Sequence, residues 1–360
     1  MRQKSRRISK MKIVVGVVVL VVLIVGLIYL GELFPEKYNR AMADIITYTA
    51  PVLDIADYDR RMTKLANGST TSTSSGQASS PQVTTSTPLW PVRAIYPKAG
   101  AILPFHRVVA YYGNLYSKNM GVLGEYPPDE VLRRLNVEVK KWELADPSTP
   151  VRPALHYIVT TAQESAGADG KHRLRMPTGE IDKILAMAKK ANALVFLDLQ
   201  IGLSNLPVEL PLLKDYFKMP QVHLGIDPEF SMKSGNSPGT VIGTLDAVDI
   251  NYAANYLAKL VQENNLPPKI LIIHRFTQAM VTNYKLIKPL PEVQIVINMD
   301  GWGSPAKKID TYQGFVASEP VQFTGFKLFY KNDLKQTPNR LMTPAELLEL
   351  KPRPIYIQYQ

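Results

Sequence analysis

The chain is predicted to fold as an α/β protein whose main body is a (β/α)8 TIM-type barrel. Three observations predict it. Eight short apolar runs recur from about Arg107 to the end, a span of roughly 250 residues that suits one barrel. Most are separated by segments of helical period. Each run also carries a polar or charged residue at or just past its C-terminal end, where barrels of this kind build their active sites.

In order, Val108-Val109-Ala110 precedes Tyr111-Tyr112-Gly113-Asn114, and residues 151–155 precede His156. Val195-Phe196-Leu197 meets Asp198 and Gln200, and Leu224-Gly225-Ile226 meets Asp227 and Glu229. Residues 270–273 meet His274, and Ile295-Val296-Ile297 meets Asn298 and Asp300. Residues 323–326 reach Lys327, and Ile355-Tyr356-Ile357 reaches Gln358. Between them, residues 129–145 predict a helix with Val131, Leu135, Val139 and Trp142 on one stripe. Residues 179–192 and 246–264 predict two more. Thr343-Pro344-Ala345-Glu346 opens another, with Thr as N-cap, Pro at the first helical position and Glu completing a capping box. No segment remains for an eighth helix after the last run, and residues 91–104 are expected to close that side.

The N-terminal part is of a different kind. Residues 13–30 are uninterrupted apolar residues or glycine, close to the length that crosses a bilayer. Six basic residues precede them, so the N-terminus is expected to stay cytoplasmic and the rest extracytoplasmic. A cleavable signal peptide is the rival reading, but Tyr29-Leu30-Gly31-Glu32-Leu33 is a poor cleavage site and Ala41-Met42-Ala43 lies far downstream. The expected organisation is a basic tail (1–12), a transmembrane signal-anchor (13–30), a juxtamembrane helical segment (31–67), a Ser/Thr-rich flexible linker (68–89) and the barrel (90–360). The linker is read as a tether holding the barrel away from a cell membrane.

The net charge of +11 does not point to nucleic acid, because residues 1–40 hold eight Lys/Arg against Glu32 and Glu36 and so carry six of the eleven charges. With no cysteine, disulfides, thiolate metal sites and cysteine nucleophiles are excluded. No cofactor motif is present: the glycines of residues 234–243 lack a Gly-Lys-Ser/Thr or G-x-G-x-x-G pattern and read as a lid or substrate wall.

Strand alternation sorts the side chains. Val195, Leu197 and Leu199 form an apolar face for helices, which turns Asp198 and Gln200 into the barrel. The same argument turns in His223, Asp227, Glu229, His274, Asn298, Asp300, Lys327 and Gln358. The inferred mouth gathers Asp198, Asp227, Glu229, Asp300, His156, His274 and Lys327, with Tyr111, Trp302 and Tyr330 as nearby aromatics. Several carboxylates in one place require shared protons, a cation or a lysine. Paired carboxylates under an aromatic rim suit glycoside chemistry, with Glu229 as acid, Asp300 or Asp198 as nucleophile or base, and the Asp227 charge raising Glu229. Tyr111, His156, Gln200, His274, Trp302, Lys327, Tyr330 and Gln358 are the expected substrate-binding residues. Metal-assisted hydrolysis through His156, Asp198, Asp227, His274 and Asp300 is an alternative without a His-x-His or His-Glu-x-x-His spacing, and no metal is expected. His106, His172 and His223 read as surface or core histidines.

Asp227-Pro228-Glu229 resembles the closing D-x-E of chitinase-type glycosidases, whose acid is the final Glu. The sequence has Val222 and Gly225 where the full pattern has acids, and only Asp300 of Ile297-Asn298-Met299-Asp300 matches the partner strand. More broadly, Tyr111-Tyr112-Gly113-Asn114, Asp227-Pro228-Glu229-Phe230 and residues 325–330 are similar to uncharacterised exported bacterial barrel proteins. The expected function is a membrane-anchored, glycosidase-like barrel acting on an envelope or environmental glycan. The alternatives are a non-catalytic carbohydrate-binding barrel and a metal-dependent hydrolase.

Overall fold

The computed structural model describes residues 52–67 and 88–360. The expected basic tail and transmembrane segment, and most of the linker, lie outside the described residues. Among the described residues no helix is long and apolar enough to cross a membrane.

Eight parallel strands close into a barrel: β1 (Arg107–Gly113), β2 (Val151–Ala162), β3 (Leu194–Leu199), β4 (Val222–Ile226), β5 (Lys269–Arg275), β6 (Val293–Met299), β7 (Phe323–Leu328) and β8 (Tyr356–Tyr359). Each pairs with the next in sequence, and β1 pairs with both β2 and β8, so no edge is left open. The alternation expected of half-polar strands holds. Val195, Leu197, Leu224, Leu271, Ile273 and Ile295 face outward into the helix layer. Val108, Ala110, Ala154, Leu194, Phe196, Ile270, Ile272, Val296, Phe323 and Tyr356 fill the interior below the mouth.

The helices differ from strand to strand. α1 (Ile55–Ala66) lies before the barrel. α2 (Pro128–Ala145), α3 (Thr178–Lys190) and α4 (Ala247–Glu263) follow β1, β2 and β4. The predicted stripe Val131, Leu135, Val139 and Trp142 is the buried face of α2. Asp246 and Asp249 form a reciprocal capping box that fixes the start of α4. Short helical turns follow β3, and two 3-10 turns with the two-residue strand Val281–Thr282 between them link β5 to β6. After β6 come α5 (Pro305–Tyr312) and a π turn, and after β7 comes α6 (Pro344–Leu348), which carries the predicted Thr343–Glu346 capping box.

Two expectations change. Residues 91–104 do not cover the side of the barrel beyond β8. Ile102, Leu103 and Phe105 instead pack beneath the N-terminal end of the barrel, held by Gln294, whose Oε1 accepts the Ile102 and Leu103 amides at 3.0 Å each. The side beyond β8 is met by α2, where the Trp142 indole donates to the Tyr359 hydroxyl at 3.0 Å. Secondly, α1, the described part of the expected segment 31–67, packs on the barrel body. Asp54 caps it, Tyr58 and Met62 are buried in the same interior cluster, and the Arg353 amide donates to Leu65 O at 2.7 Å. Asn67 also donates to Leu350 O, while Trp90 donates to Ala317 O. Both flanks of the expected linker, Asn67 and Trp90, therefore sit on the barrel.

Met62→Ala is expected to lower the unfolding free energy by roughly 2–5 kcal/mol in urea titration, as loss of a buried Met does. Val52→Ala, at a side chain 92% exposed, should change nothing. Equal midpoints for the two variants would show that α1 does not dock in solution.

Candidate active site

The strand ends converge on a cavity of about 440 Å³, open to solvent at the C-terminal end of the barrel. Six of the twelve predicted site residues line it: Gln200, Asp227, Glu229, Asp300, Trp302 and Lys327. Phe276 and Phe329 add apolar wall, and Trp302 is 43% exposed at the rim.

Four more lie beneath the floor. β2 does not stop at His156 but runs six residues further, so His156 is mid-strand and wholly buried. Asp198, His274 and Gln358 are buried at the same depth. The β2 register slips between Ile158 and Thr160, and such a bulge re-aims the strand at the mouth. The remaining two, Tyr111 and Tyr330, are not at the mouth. Both point outward toward α2, joined hydroxyl to hydroxyl at 3.1 Å, and Tyr330 donates to Glu138 at 3.0 Å. With Val108 and Ala110 facing in, alternation puts Tyr112 inside and Tyr111 outside. Tyr112 is the aromatic residue that the sequence reading missed; its hydroxyl donates to Asp198 Oδ2 at 3.0 Å and its ring carries the Lys327 ammonium 3.8 Å from the centroid.

A line of alternating charge runs through floor and wall. Asp198 Oδ1 lies 3.1 Å from His156 Nε2 and 3.4 Å from His274 Nε2. His274 Nδ1 lies 2.9 Å from Asp300 Oδ2, and Asp300 Oδ1 lies 2.9 Å from Lys327 Nζ. Burial opposes charge on His274, but Asp198 and Asp300 outweigh it and push its pKa up to about 10. Burial also acts against ionised Asp198 and Asp300. The two histidines overcome it for Asp198, as Lys327 and His274 do for Asp300, so both carboxyls are held below the usual range. For His156 burial prevails and lowers the pKa to about 4.

The pair on β4 behaves oppositely. Burial, then the charge on Asp300, pushes Glu229 up to about 7. Asp227 is also raised well above the usual carboxylate range, by burial first, against the pull of His274 and with Glu229, Asp300 and Asp198 adding to it. The expectation that Asp227 charge raises Glu229 is therefore revised: Asp227 holds its own proton, and Asp300 supplies the repulsion. Asp227 contributes geometry, its Oδ1 accepting the Glu229 amide at 3.1 Å to cap the 3-10 turn Pro228–Phe230. That turn is pinned by Gly243, whose amide donates to Glu229 O at 2.7 Å where a Cβ would strike three carbonyl oxygens. The glycine-rich loop thus folds back on the turn, and residues 231–243 contribute no cavity wall, unlike the expected lid.

A second buried pair, Lys308 and Asp333, aims the rim. Lys308 Nζ donates to Gly301 O at 2.8 Å, while Asp333 accepts the Gly303 and Phe329 amides at 2.9 Å each. Burial lowers Lys308 to about 8 against the pull of Asp333. This clamp joins the β6 and β7 ends that carry Asp300, Trp302 and Lys327. Its partners are 25 residues apart in an otherwise ordinary charge pattern, and nothing in the sequence pairs them.

No family profile and no curated protein matches the chain. Among solved structures it is similar to the cellulase Cel5C_n, at 13% identity and a TM-score of 0.35, over 61% of this chain and 65% of that one. It is also similar to Plasmodium falciparum HPPK-DHPS with pteroate, at 11% identity and a TM-score of 0.32, over 71% of this chain and 44% of that one. The chain thus spans less than two thirds of either protein, and these likenesses assign it no activity. The geometry is open to a direct test at Gly225, where a Cβ would stand 2.3 Å from both Asp198 Oδ1 and His156 Nε2. Gly225→Ala is expected to cost about 1–3 kcal/mol in thermal denaturation, as overpacking does. Gly179→Ala, where the added methyl meets nothing, should be neutral or stabilising by up to about 1 kcal/mol.

Proposed function

We propose that the barrel hydrolyses a glycosidic bond, with Glu229 as proton donor and Asp300 as the carboxylate that acts as base or nucleophile. The observation that carries this reading is the opposite state of two carboxyls on one cavity. Glu229 keeps its proton near neutral pH, whereas Asp300, paired with Lys327 and His274, is ionised. Two carboxyls driven apart in this way are what acid and base roles need. In the reaction Glu229 gives its proton to the departing glycosidic oxygen as the C–O bond breaks. The anomeric carbon is taken either by the Asp300 oxygen or by a water that loses its proton to Asp300.

The walls suit a carbohydrate. Trp302, Phe276, Phe329 and the Tyr112 ring offer apolar faces to sugar C–H groups, and Gln200, Asn119 and Lys327 offer donors to hydroxyls. Asp198, His156 and Gln358 lie too deep to touch substrate and act as support. The same reading keeps the barrel outside the cytoplasm, anchored through residues 13–30. Protease added to intact cells should then degrade the barrel, and full protection would refute that placement.

Turnover on a glycan panel by the full chain and by Glu229→Gln is the decisive comparison. The variant is expected to lose about 10²–10⁴ in kcat, the usual contribution of a general acid, while binding the glycan as tightly. Glycan binding without turnover in either protein would establish a carbohydrate-binding barrel instead. Because the acid must be protonated, kcat/KM should fall above about pH 7, where Glu229 ionises. A profile flat from pH 6 to 9 would remove Glu229 from the acid role.

A further inference from the structure

We infer that His156, Asp198 and His274 form a binding site for one divalent transition-metal ion beneath the cavity floor. The three side chains come from β2, β3 and β5 and are each fully buried. One ligand atom from each of the three side chains lies within 4.8 Å of those of the other two, and Asp198 Oδ1 is the oxygen that both His156 Nε2 and His274 Nε2 approach. The separations of 3.1 and 3.4 Å from the carboxylate oxygen to the two nitrogens are close to the edges of a tetrahedron about a metal with bonds of about 2.0–2.2 Å.

The second observation is how the remaining atoms are used. Asp198 Oδ2 accepts from Tyr112, His156 Nδ1 meets the Tyr356 hydroxyl at 2.6 Å, and His274 Nδ1 meets Asp300 Oδ2 at 2.9 Å. Each ligand is thus oriented through its far atom, as outer partners orient metal-bound imidazoles and carboxylates. The three near atoms make no aligned hydrogen bond to any group, although they are nearest neighbours in a dry interior. Buried polar atoms left in that state are rare and costly. A metal ion between them, displacing the His274 Nε2 proton, would satisfy all three. Gly225 is what lets His156 and Asp198 meet there. Two imidazoles and one carboxylate favour zinc and its first-row neighbours over magnesium or calcium. Bound through Nε2, His274 would keep Nδ1–H on Asp300, so the ion would fix the tautomer that faces the cavity.

The test uses the full chain, stripped with chelator and titrated with zinc by calorimetry, and with cobalt by visible absorption. One zinc per chain is expected, together with the strong visible bands of four-coordinate cobalt, which zinc should erase. Asp198→Asn and His274→Asn are each expected to weaken zinc binding at least 100-fold, and Glu229→Gln should leave it unchanged. Substoichiometric zinc binding with no cobalt bands overturns the site and leaves a shared proton as what joins the trio. Unaltered affinity in both ligand variants overturns it equally. Should those variants misfold, the wild-type cobalt spectrum decides alone. The inference stands apart from the glycosidase reading: loss of turnover in Glu229→Gln with no metal bound would sustain one and end the other.

Discussion

The mouth of this barrel depends on one constraint: Asp198 and Asp300 are ionised in the interior and must be balanced there. An isolated buried carboxylate would protonate rather than bear the desolvation cost. Here His274 stands between the two, and Lys327 closes the line at Asp300. Once those cations are committed, Glu229 is left facing a like charge in a partly dry site. Its proton follows from the same arrangement that strips Asp300 of one. The opposite protonation of the two carboxyls on the cavity is therefore a consequence of one charge chain.

That chain needs room that a barrel interior filled with branched aliphatic residues does not provide. Glycine supplies it twice. Gly225 lies beneath the approach of His156 to Asp198, and at Gly325 a Cβ would come within 2.6 Å of Asn298 Oδ1 and 3.0 Å of the Tyr356 ring. Below this layer the interior returns to Phe196, Ile270, Ile272 and Val296, closed underneath by Leu103 and α1. The polar tier is thus held between an apolar plug and a wet mouth, which strengthens its internal electrostatics. The Lys308–Asp333 clamp keeps the rim in register with it, because it ties the backbone after β6 to the backbone after β7.

Most of the scaffold was legible in the sequence because strand and helix periods differ. Leu194 to Gln200 alternates apolar and polar cleanly, so Asp198 and Gln200 could be turned inward from letters alone. The first strand gave no such contrast. Tyr111 and Tyr112 are the same residue type, and only the parity of Ala110 tells them apart. His156 was misplaced in depth because the apolar and threonine residues after it continue the strand rather than end it. The pKa logic of the β4 pair was also hidden: sequence adjacency suggested Asp227 as the charge acting on Glu229, whereas the effective charge comes from Asp300, two strands away. α1 was unreadable as part of the barrel, since a low-complexity stretch separates it from the strands it packs under. Long-range contacts of that kind leave no periodic trace.

The depth ordering carries a mechanistic consequence. Asp300 is shared: one oxygen meets Lys327 at the cavity wall, while the other meets His274 at the floor. Whatever occupies the space between His156, Asp198 and His274, whether a proton or a metal ion, acts on the cavity through that second oxygen and through the Tyr112 hydroxyl that Asp198 holds. If His274 gave up its cationic or metal-bound state, Asp300 would lose one of its two balancing partners and its hold on a negative charge would weaken. Its repulsion of a negative charge on Glu229 would weaken with it. Floor and mouth are therefore coupled through the His274 imidazole and the Tyr112 hydroxyl, and the opposite states of Glu229 and Asp300 depend on residues buried beneath the cavity.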